Sequence, residues 1–224
     1  MKIVVSVGGS VLARDLKPER FRGYAAALSE ISKKNTVFVV TGGGKAAREY
    51  INAARELGAD ESTCDLVGIE LTRLNARLLI AALGDAAFYE PPGNYKEARN
   101  AGLAGKIVVM GGVTPGQTTD AVSAVLAEYT GADLLINATS IDGVYTSDPK
   151  KNKDARKFET MAPKQLIEIV MKTEMVAGAN SPIDLLAAKI IERSNIKTIV
   201  LNGEEPQNII DAVKGKHSGT VIEK

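Results

Sequence analysis

The chain has 224 residues, which is enough for one large domain or two small ones and for a sizeable buried core. Its 45% hydrophobic and 25% charged residues are typical of a globular protein. Because the net charge is only +1, there is no broad basic field for a nucleic acid or a membrane, and an anion must be held by local groups. A single cysteine, Cys64, excludes an internal disulfide, and with one histidine, His217, it argues against a zinc site.

No targeting or membrane-spanning segment is evident in the sequence. Residues 1–7 form a short apolar run that glycines follow at once, so they lack the apolar core of a signal peptide. No apolar run approaches the ~20 residues of a membrane span. We therefore expect a cytoplasmic protein.

Strands and helices alternate along the sequence. Short β-branched runs predict strands at 3–7, 36–40, 107–110, 134–137 and 198–201, and residues 219–222 predict a final edge strand. Amphipathic periodicity or an early proline predicts helices at 21–33, 46–57, 65–83, 121–129, 163–170, 182–194 and 206–213.

This alternation predicts an α/β fold, a three-layer α/β/α sandwich around a mostly parallel sheet. We expect a single domain over residues 1–224, with halves of about 1–135 and 136–224 and a charged, solvated loop at 150–157. Ligands of such sheets bind at the carboxyl ends of the strands.

Four loops rich in glycine or threonine follow predicted strands at that edge. They are Gly8-Gly9-Ser10, residues 42–45 (GGGK), residues 111–120 (GGVTPGQTTD) and residues 139–149 (TSIDGVYTSDP). Glycine lets the backbone approach a ligand, and a helix start offers unpaired N–H groups to an anion. Four such loops on one sheet indicate a site for several phosphates.

Each of the first two loops also has a plainer interpretation. Gly8-Gly9-Ser10 fits a phosphate-binding turn and a simple strand-to-helix turn equally well. Lys45 and Arg48 follow the second loop and offer charge to a phosphate, or they belong to a solvated helix face. The P-loop pattern is absent, and the partial dinucleotide fingerprint here is weak.

The third and fourth loops carry the polar side chains. Asp120 lies at a helix start, where it is either a functional carboxylate or a capping residue. In the fourth loop Tyr145 is placed to flank a purine, and Asp142 or Asp148 to bind ribose hydroxyls or orient a magnesium ion. A plain turn is the alternative, because Asp-Gly and Asp-Pro form turns.

With these loops in this order, the whole chain resembles the amino acid kinase family, and within it the archaeal type of UMP kinase. The similarity is carried by GGGKAAREY at 42–50, MGGVTPGQTTDA at 110–121, NATSIDGVYTSDPKK at 137–151 and IDLLAAKIIERS at 183–194. The resemblance implies phosphoryl transfer from ATP to UMP in pyrimidine nucleotide biosynthesis, with Mg²⁺ accompanying ATP. It also implies a homohexamer built from dimers, for which the apolar faces of residues 65–83 are candidate interfaces.

The resemblance also assigns residues to roles. Asp120 would organise charge around the transferred phosphate. ATP would be held by Gly9, Ser10, Gly44, Arg48, Thr139, Ser140, Tyr145 and Asp148. UMP would be held by Gly43, Asp65, Val113, Thr114, Pro115, Gly116, Gln117, Thr118 and Thr119.

Two departures from the family concern positive charge. Many relatives carry lysine two residues before the first Gly-Gly, where this chain has Ser6, and again near Ile183. We therefore predict that Lys45, with Arg48 second, supplies the cation of the transition state. A phosphate acceptor, with a second pKa of about 6, needs no general base.

Two other functions remain open at this stage. One is another small-molecule kinase of the same fold, although residues 113–119 lack the arginine that a carboxylate acceptor would favour. The other is a nucleotide- or anion-binding protein without catalysis, which the missing lysines permit.

Overall fold

The computed structural model of the chain describes residues 1–149, 151–174 and 183–224. The strands are β1 (Lys2–Val7), β2 (Thr36–Thr41), β3 (Val108–Met110), β4 (Leu134–Thr139), β5 (Thr160–Met161), β6 (Thr198–Asn202) and β7 (Thr220–Ile222). The helices are α1 (Gly9–Leu12), α2 (Pro18–Ser32), α3 (Gly44–Glu56), α4 (Glu61–Leu83), α5 (Tyr95–Ala101), α6 (Thr119–Thr130), α7 (Pro163–Glu174), α8 (Leu185–Ser194) and α9 (Gln207–Val213).

The strands form one sheet in the order β3-β2-β1-β4-β6-β7-β5. β3, β2, β1, β4 and β6 are parallel neighbours, whereas β7 runs antiparallel to β6. At the centre of the sheet Ser6 lies between Val40 of β2 and Asn137 of β4. The predicted mostly parallel sheet is confirmed.

The hydrophobic core lies in two layers, one on each face of the sheet. Alternate residues of β1 point to opposite faces, so that Val5 joins one cluster and Val4 the other. One cluster is closed by helices α2, α4 and α9 and the other by α5, α6, α7 and α8. Burial on both faces explains why the strands read as continuous apolar runs.

Several boundaries differ from the prediction. β7 is not an edge strand, because the two-residue strand β5 pairs with its outer side. Helix α4 begins four residues earlier than expected, since Asp60 caps it by accepting a hydrogen bond from the nitrogen of Thr63 at 2.7 Å. The predicted helix at 182–194 begins at Leu185; Pro182, like Lys150 of the charged span, lies outside the described residues.

Two short helices, α1 and α5, have too few residues for a periodic signal in the sequence. None of the helices in the described part of the chain combines the length and the apolar character needed to cross a membrane.

Candidate active site at the carboxyl edge of the sheet

The four glycine- and threonine-rich loops lie along one edge of the sheet. They follow β1, β2, β3 and β4, which are parallel, so all four strands end on the same side. The strand order reverses between β1 and β4, and such a switch point opens a crevice for ligands. The loops therefore converge, as the sequence predicts.

The first two loops touch each other backbone to backbone. A Cβ atom at Gly9 would lie 2.0 Å from the nitrogen of Gly44, and one at Gly42 would lie 2.4 Å from the nitrogen of Gly9. Gly44 also has a φ of +72°, which side chains rarely tolerate. Close packing between the loops thus requires these glycines, whatever the loops bind.

Two buried polar side chains of α4 hold the second and third loops together. Asn75 Nδ2 donates a hydrogen bond to the carbonyl oxygen of Gly42 at 2.8 Å. The Oγ1 of Thr72 accepts one from the nitrogen of Gly112 at 2.7 Å. Each of the two side chains is 6% exposed, so each must find its partner inside the protein. The sequence analysis did not single out either residue. The pattern that could have identified them is a polar side chain on the inner, otherwise apolar face of α4.

The predicted acceptor loop is tied to Asp65 of α4. Asp65 Oδ2 accepts a hydrogen bond from the nitrogen of Gly116 at 2.7 Å. Farther along the loop, Gln117 Oε1 accepts one from the hydroxyl of Tyr95 at 3.0 Å. The structure thus brings Asp65 to the third loop. The other predicted residues of that loop run from β3 to the start of α6: Val113, Thr114, Pro115, Thr118 and Thr119.

Asp120 is not the cap of α6. The cap is Thr118, whose Oγ1 accepts a hydrogen bond from the nitrogen of Ala121 at 3.1 Å and donates one to the carboxylate of Asp184. Asp120 lies in the first turn of the helix, and its Oδ1 accepts a hydrogen bond from Ser6 Oγ at 3.1 Å. The capping interpretation of Asp120 is therefore wrong, and its side chain is directed at the centre of the sheet.

The carboxyl group of Asp120 is poised to change its charge near neutral pH. Burial raises the pKa of this group from 3.8 to about 7, and the charge of Asp184 adds to the rise. Hydrogen bonds with Ser6 and Asn137 act in the opposite direction, because they favour the charged form. By its exposed surface, Asp120 as a whole residue is half-buried.

The two positions at which the family resemblance leads us to expect lysine, Ser6 and Ile183, both lie beside Asp120. Ser6 and Ile183 are each 1% exposed, and both line a cavity of about 10 Å³ together with Asp120 and Asn137. This volume is close to the smallest that can hold one water molecule. No lysine or arginine is among the described residues that line the cavity. The two positions at which lysine was expected thus meet at one place.

Lys45 and Arg48 lie on the first two turns of α3, beside the second loop. Both residues are exposed. Lys45 Nζ lies 3.4 Å from Glu49 Oε1, a surface ion pair along the helix that is worth little to stability. Reaching a bound phosphate would require Lys45 to leave this pair, and its role as the transition-state cation stays a prediction.

The fourth loop starts beside the first. The nitrogen of Gly8 donates a hydrogen bond to the carbonyl oxygen of Ala138 at 2.9 Å. The nitrogen of Gly203 donates one to the carbonyl oxygen of Thr139 at 2.7 Å. Tyr145 is fixed through its hydroxyl, which donates to Asp142 Oδ1 at 2.7 Å. The predicted ATP residues thus lie at the ends of adjacent strands. Gly9 and Ser10 follow β1, Thr139 is the last residue of β4, and Ser140, Tyr145 and Asp148 come after it in the fourth loop.

Two further observations bear on ligands. A cavity of about 680 Å³ is lined by Arg73, Tyr89 and neighbouring residues, and by none of the predicted site residues. Across the described ranges, no three His, Cys, Asp or Glu side chains are grouped so that they could hold a metal ion.

Comparisons with known proteins agree on one family. The family model described as "Amino acid kinase family" matches residues 1–202. The chain is 59% identical to a protein named uridylate kinase from Methanococcoides burtonii over 213 residues, 95% of this chain and 91% of the relative. The crystal structure of uridylate kinase from Archaeoglobus fulgidus has a TM-score of 0.91 at 52% identity and covers 99% of this chain and all of the other. The crystal structure of UMP kinase from Bacillus anthracis has a TM-score of 0.82 at 25% identity, and the match covers 99% of this chain and 95% of the other.

Proposed function

The chain belongs to the amino acid kinase family, and from this membership we propose that it is a uridylate kinase that converts ATP and UMP into ADP and UDP. The observation that carries the proposal is the convergence of the four loops at one edge, with Asp65 bound to the third loop. Such an edge accommodates two nucleotides end to end. A phosphate oxygen of UMP attacks the γ-phosphorus of ATP, and the bond to the bridging oxygen breaks, leaving its electron pair on ADP.

The proposed reaction needs alignment and charge more than proton transfer. The UMP phosphate is largely ionised at neutral pH, because its second pKa is about 6. A loose, in-line transition state gains most from groups that hold both nucleotides in line and neutralise their oxygens. The proposed site fits this need, since it offers backbone N–H groups and no histidine.

The two nucleotides occupy opposite halves of the edge in this proposal. UMP binds between the second and third loops, where Gly43, Asp65 and residues 113–119 surround it. ATP binds over the first and fourth loops and uses Gly9, Ser10, Gly44, Arg48, Thr139, Ser140, Tyr145 and Asp148. The close packing of Gly9, which is assigned to ATP, against Gly43, which is assigned to UMP, supports this arrangement, because it brings the two halves together where the phosphates would meet.

Positive charge comes from the second loop in this proposal. Helix α3 begins at Gly44 and helix α6 at Thr119, and both present their positive ends to the same edge. Lys45 then supplies the mobile cation, assisted by Arg48. Among the described residues that line the Asp120 cavity there is no lysine or arginine, and Lys45 is therefore our candidate for this charge.

Mg²⁺ enters the proposed reaction with ATP. In this proposal phosphate oxygens of the substrates supply most of the ligands of the ion. When bound, it would neutralise charge on the phosphates.

We also propose a homohexamer in the cytoplasm. Its contacts would use α4, where Leu66, Leu74 and Leu78 are exposed at spacings that place them on one stripe. Sedimentation of the wild-type protein and of Leu74→Glu tests this idea. A smaller particle for the variant supports it, and a wild-type monomer contradicts it.

A coupled assay of ADP release tests the proposed activity. We expect rapid turnover with ATP, Mg²⁺ and UMP, and at least tenfold lower activity with AMP or GMP. Turnover with another acceptor instead of UMP would indicate a different kinase of this fold. ATP binding without transfer to any acceptor would indicate a binding protein.

A further inference from the structure

The segment after the fourth loop folds back and pairs with it. The nitrogen of Thr146 donates a hydrogen bond to the carbonyl oxygen of Arg156 at 2.9 Å, and Tyr145 is the antiparallel bridge partner of Lys157. The charged span thus does not end as a solvated loop. It delivers Lys157, whose side chain is only 27% exposed, to the inner side of the fourth loop.

Lys157 holds the carboxylate that orients Tyr145. Lys157 Nζ donates to Asp142 Oδ2 at 2.8 Å and to the carbonyl oxygen of Ser218 at 2.9 Å. The other oxygen of the carboxylate, Oδ1, accepts from the Tyr145 hydroxyl at 2.7 Å. Partial burial acts to raise the pKa of Asp142, but the bonds from Lys157 and Tyr145 outweigh it and leave this pKa below its usual value. The carboxylate is therefore charged at neutral pH.

The loop is shaped to admit this lysine. A Cβ atom at Gly143 would lie 2.9 Å from Lys157 Cδ and 2.6 Å from Thr220 Oγ1. The same Thr220 Oγ1 accepts a hydrogen bond from the nitrogen of Val144 at 2.8 Å. The stem of Lys157 thus packs directly against the loop, and β7 anchors the loop through Thr220.

We propose that Lys157 is a positioning residue for ATP: it fixes Asp142, and Asp142 in turn fixes the ring of Tyr145 against which the purine packs. The inference rests on the proposed function, which assigns Tyr145 to ATP. The sequence left Asp142 open as a ligand of ribose or magnesium. Because both of its oxygens are engaged within the loop, its role is to order the loop before ATP arrives, which lowers the entropic cost of binding.

Steady-state kinetics of Lys157→Met tests the inference. We expect the KM for ATP to rise about tenfold, while the KM for UMP changes less than twofold. Lys153→Met is the matched control, because it makes the same change at an exposed position of the same segment, and we expect wild-type constants. Lys157→Arg keeps the charge and should recover most of the ATP affinity.

A double-mutant cycle with Tyr145→Phe shows whether Lys157 acts through the tyrosine. That variant keeps the ring but loses the hydroxyl that meets Asp142. In its background Lys157→Met should have little further effect on the KM for ATP. Full additivity of the two effects would overturn the inference.

The kinetic results distinguish a failure of the inference from a failure of the proposed function. If the wild-type enzyme fails to phosphorylate UMP, the proposed function is wrong. If the wild-type enzyme turns over and Lys157→Met has an unchanged KM for ATP, only the role of Lys157 is wrong. Should Lys157→Met fail to fold, Tyr145→Phe alone decides: a raised KM for ATP supports the network, and a wild-type value overturns it.

Discussion

Replacing Asp120 by asparagine removes an ionisable group from the centre of the sheet while keeping its shape. In the wild type a carboxyl oxygen of Asp120 accepts a hydrogen bond from Ser6 Oγ at 3.1 Å, and in the variant the amide oxygen of asparagine can accept the same bond. The change therefore isolates the charge. We expect Asp120→Asn to fold, to bind both nucleotides and to turn over at least a hundredfold more slowly.

The stability of the wild-type protein should depend on pH through this group. The pKa of Asp120 is about 7 in the folded state and 3.8 in the unfolded chain, so the folded state binds the proton more tightly. Its stabilising contribution is fully present below pH 4 and is lost as the pH rises through 7. Since each pKa unit is worth about 1.4 kcal/mol, the loss between pH 5 and pH 8 is about 2.5 kcal/mol.

Urea unfolding at pH 5 and pH 8 measures this loss. The free energy of unfolding of wild type should fall by about 2.5 kcal/mol more than that of Asp120→Asn over this interval. Asp154→Asn, at an exposed position, is the control, and its free energy of unfolding should fall as much as that of the wild type. Parallel curves for wild type and Asp120→Asn would refute the burial argument. Undiminished turnover of the variant would separately remove Asp120 from catalysis.

Three further substitutions test other parts of the site. Asp65→Asn should raise the KM for UMP about tenfold and leave that for ATP unchanged, and an unchanged KM for UMP would exclude Asp65 from the acceptor site. Lys45→Met should lower kcat on the order of a hundredfold, whereas a wild-type kcat would exclude it as the transition-state cation. Gly9→Ala should lower the free energy of unfolding in urea by roughly 3 kcal/mol, because its Cβ would meet Gly44. Gly8→Ala, whose Cβ would have ordinary contacts from 3.4 Å, should cost clearly less, and equal costs would contradict the packing argument.

The long elements of the fold could be predicted from the sequence because their signals are local. Strands buried on both faces read as continuous apolar runs, and α4 carries a long periodic pattern. The strand β5 could not be found this way. It has two residues, and only its pairing with β7 makes it a strand.

The site could be predicted only in outline. Glycine-rich loops after strands indicate where ligands bind, since parallel strands end together. The partners of Asp120 depend on contacts between residues far apart in sequence, such as Ser6, which no local pattern reveals. The same holds for Lys157, which looked like part of a solvated charge run and is an internal anchor of the fourth loop.

The interlocked first and second loops limit how this enzyme can be redesigned. Because Gly9 and Gly44 leave no room between them, a side chain larger than glycine at either position displaces the other loop. A change intended for one nucleotide would then disturb the second as well. In the proposed site, altered base preference would be sought near Tyr145 or Gln117, which lie outside the contact between Gly9 and Gly44.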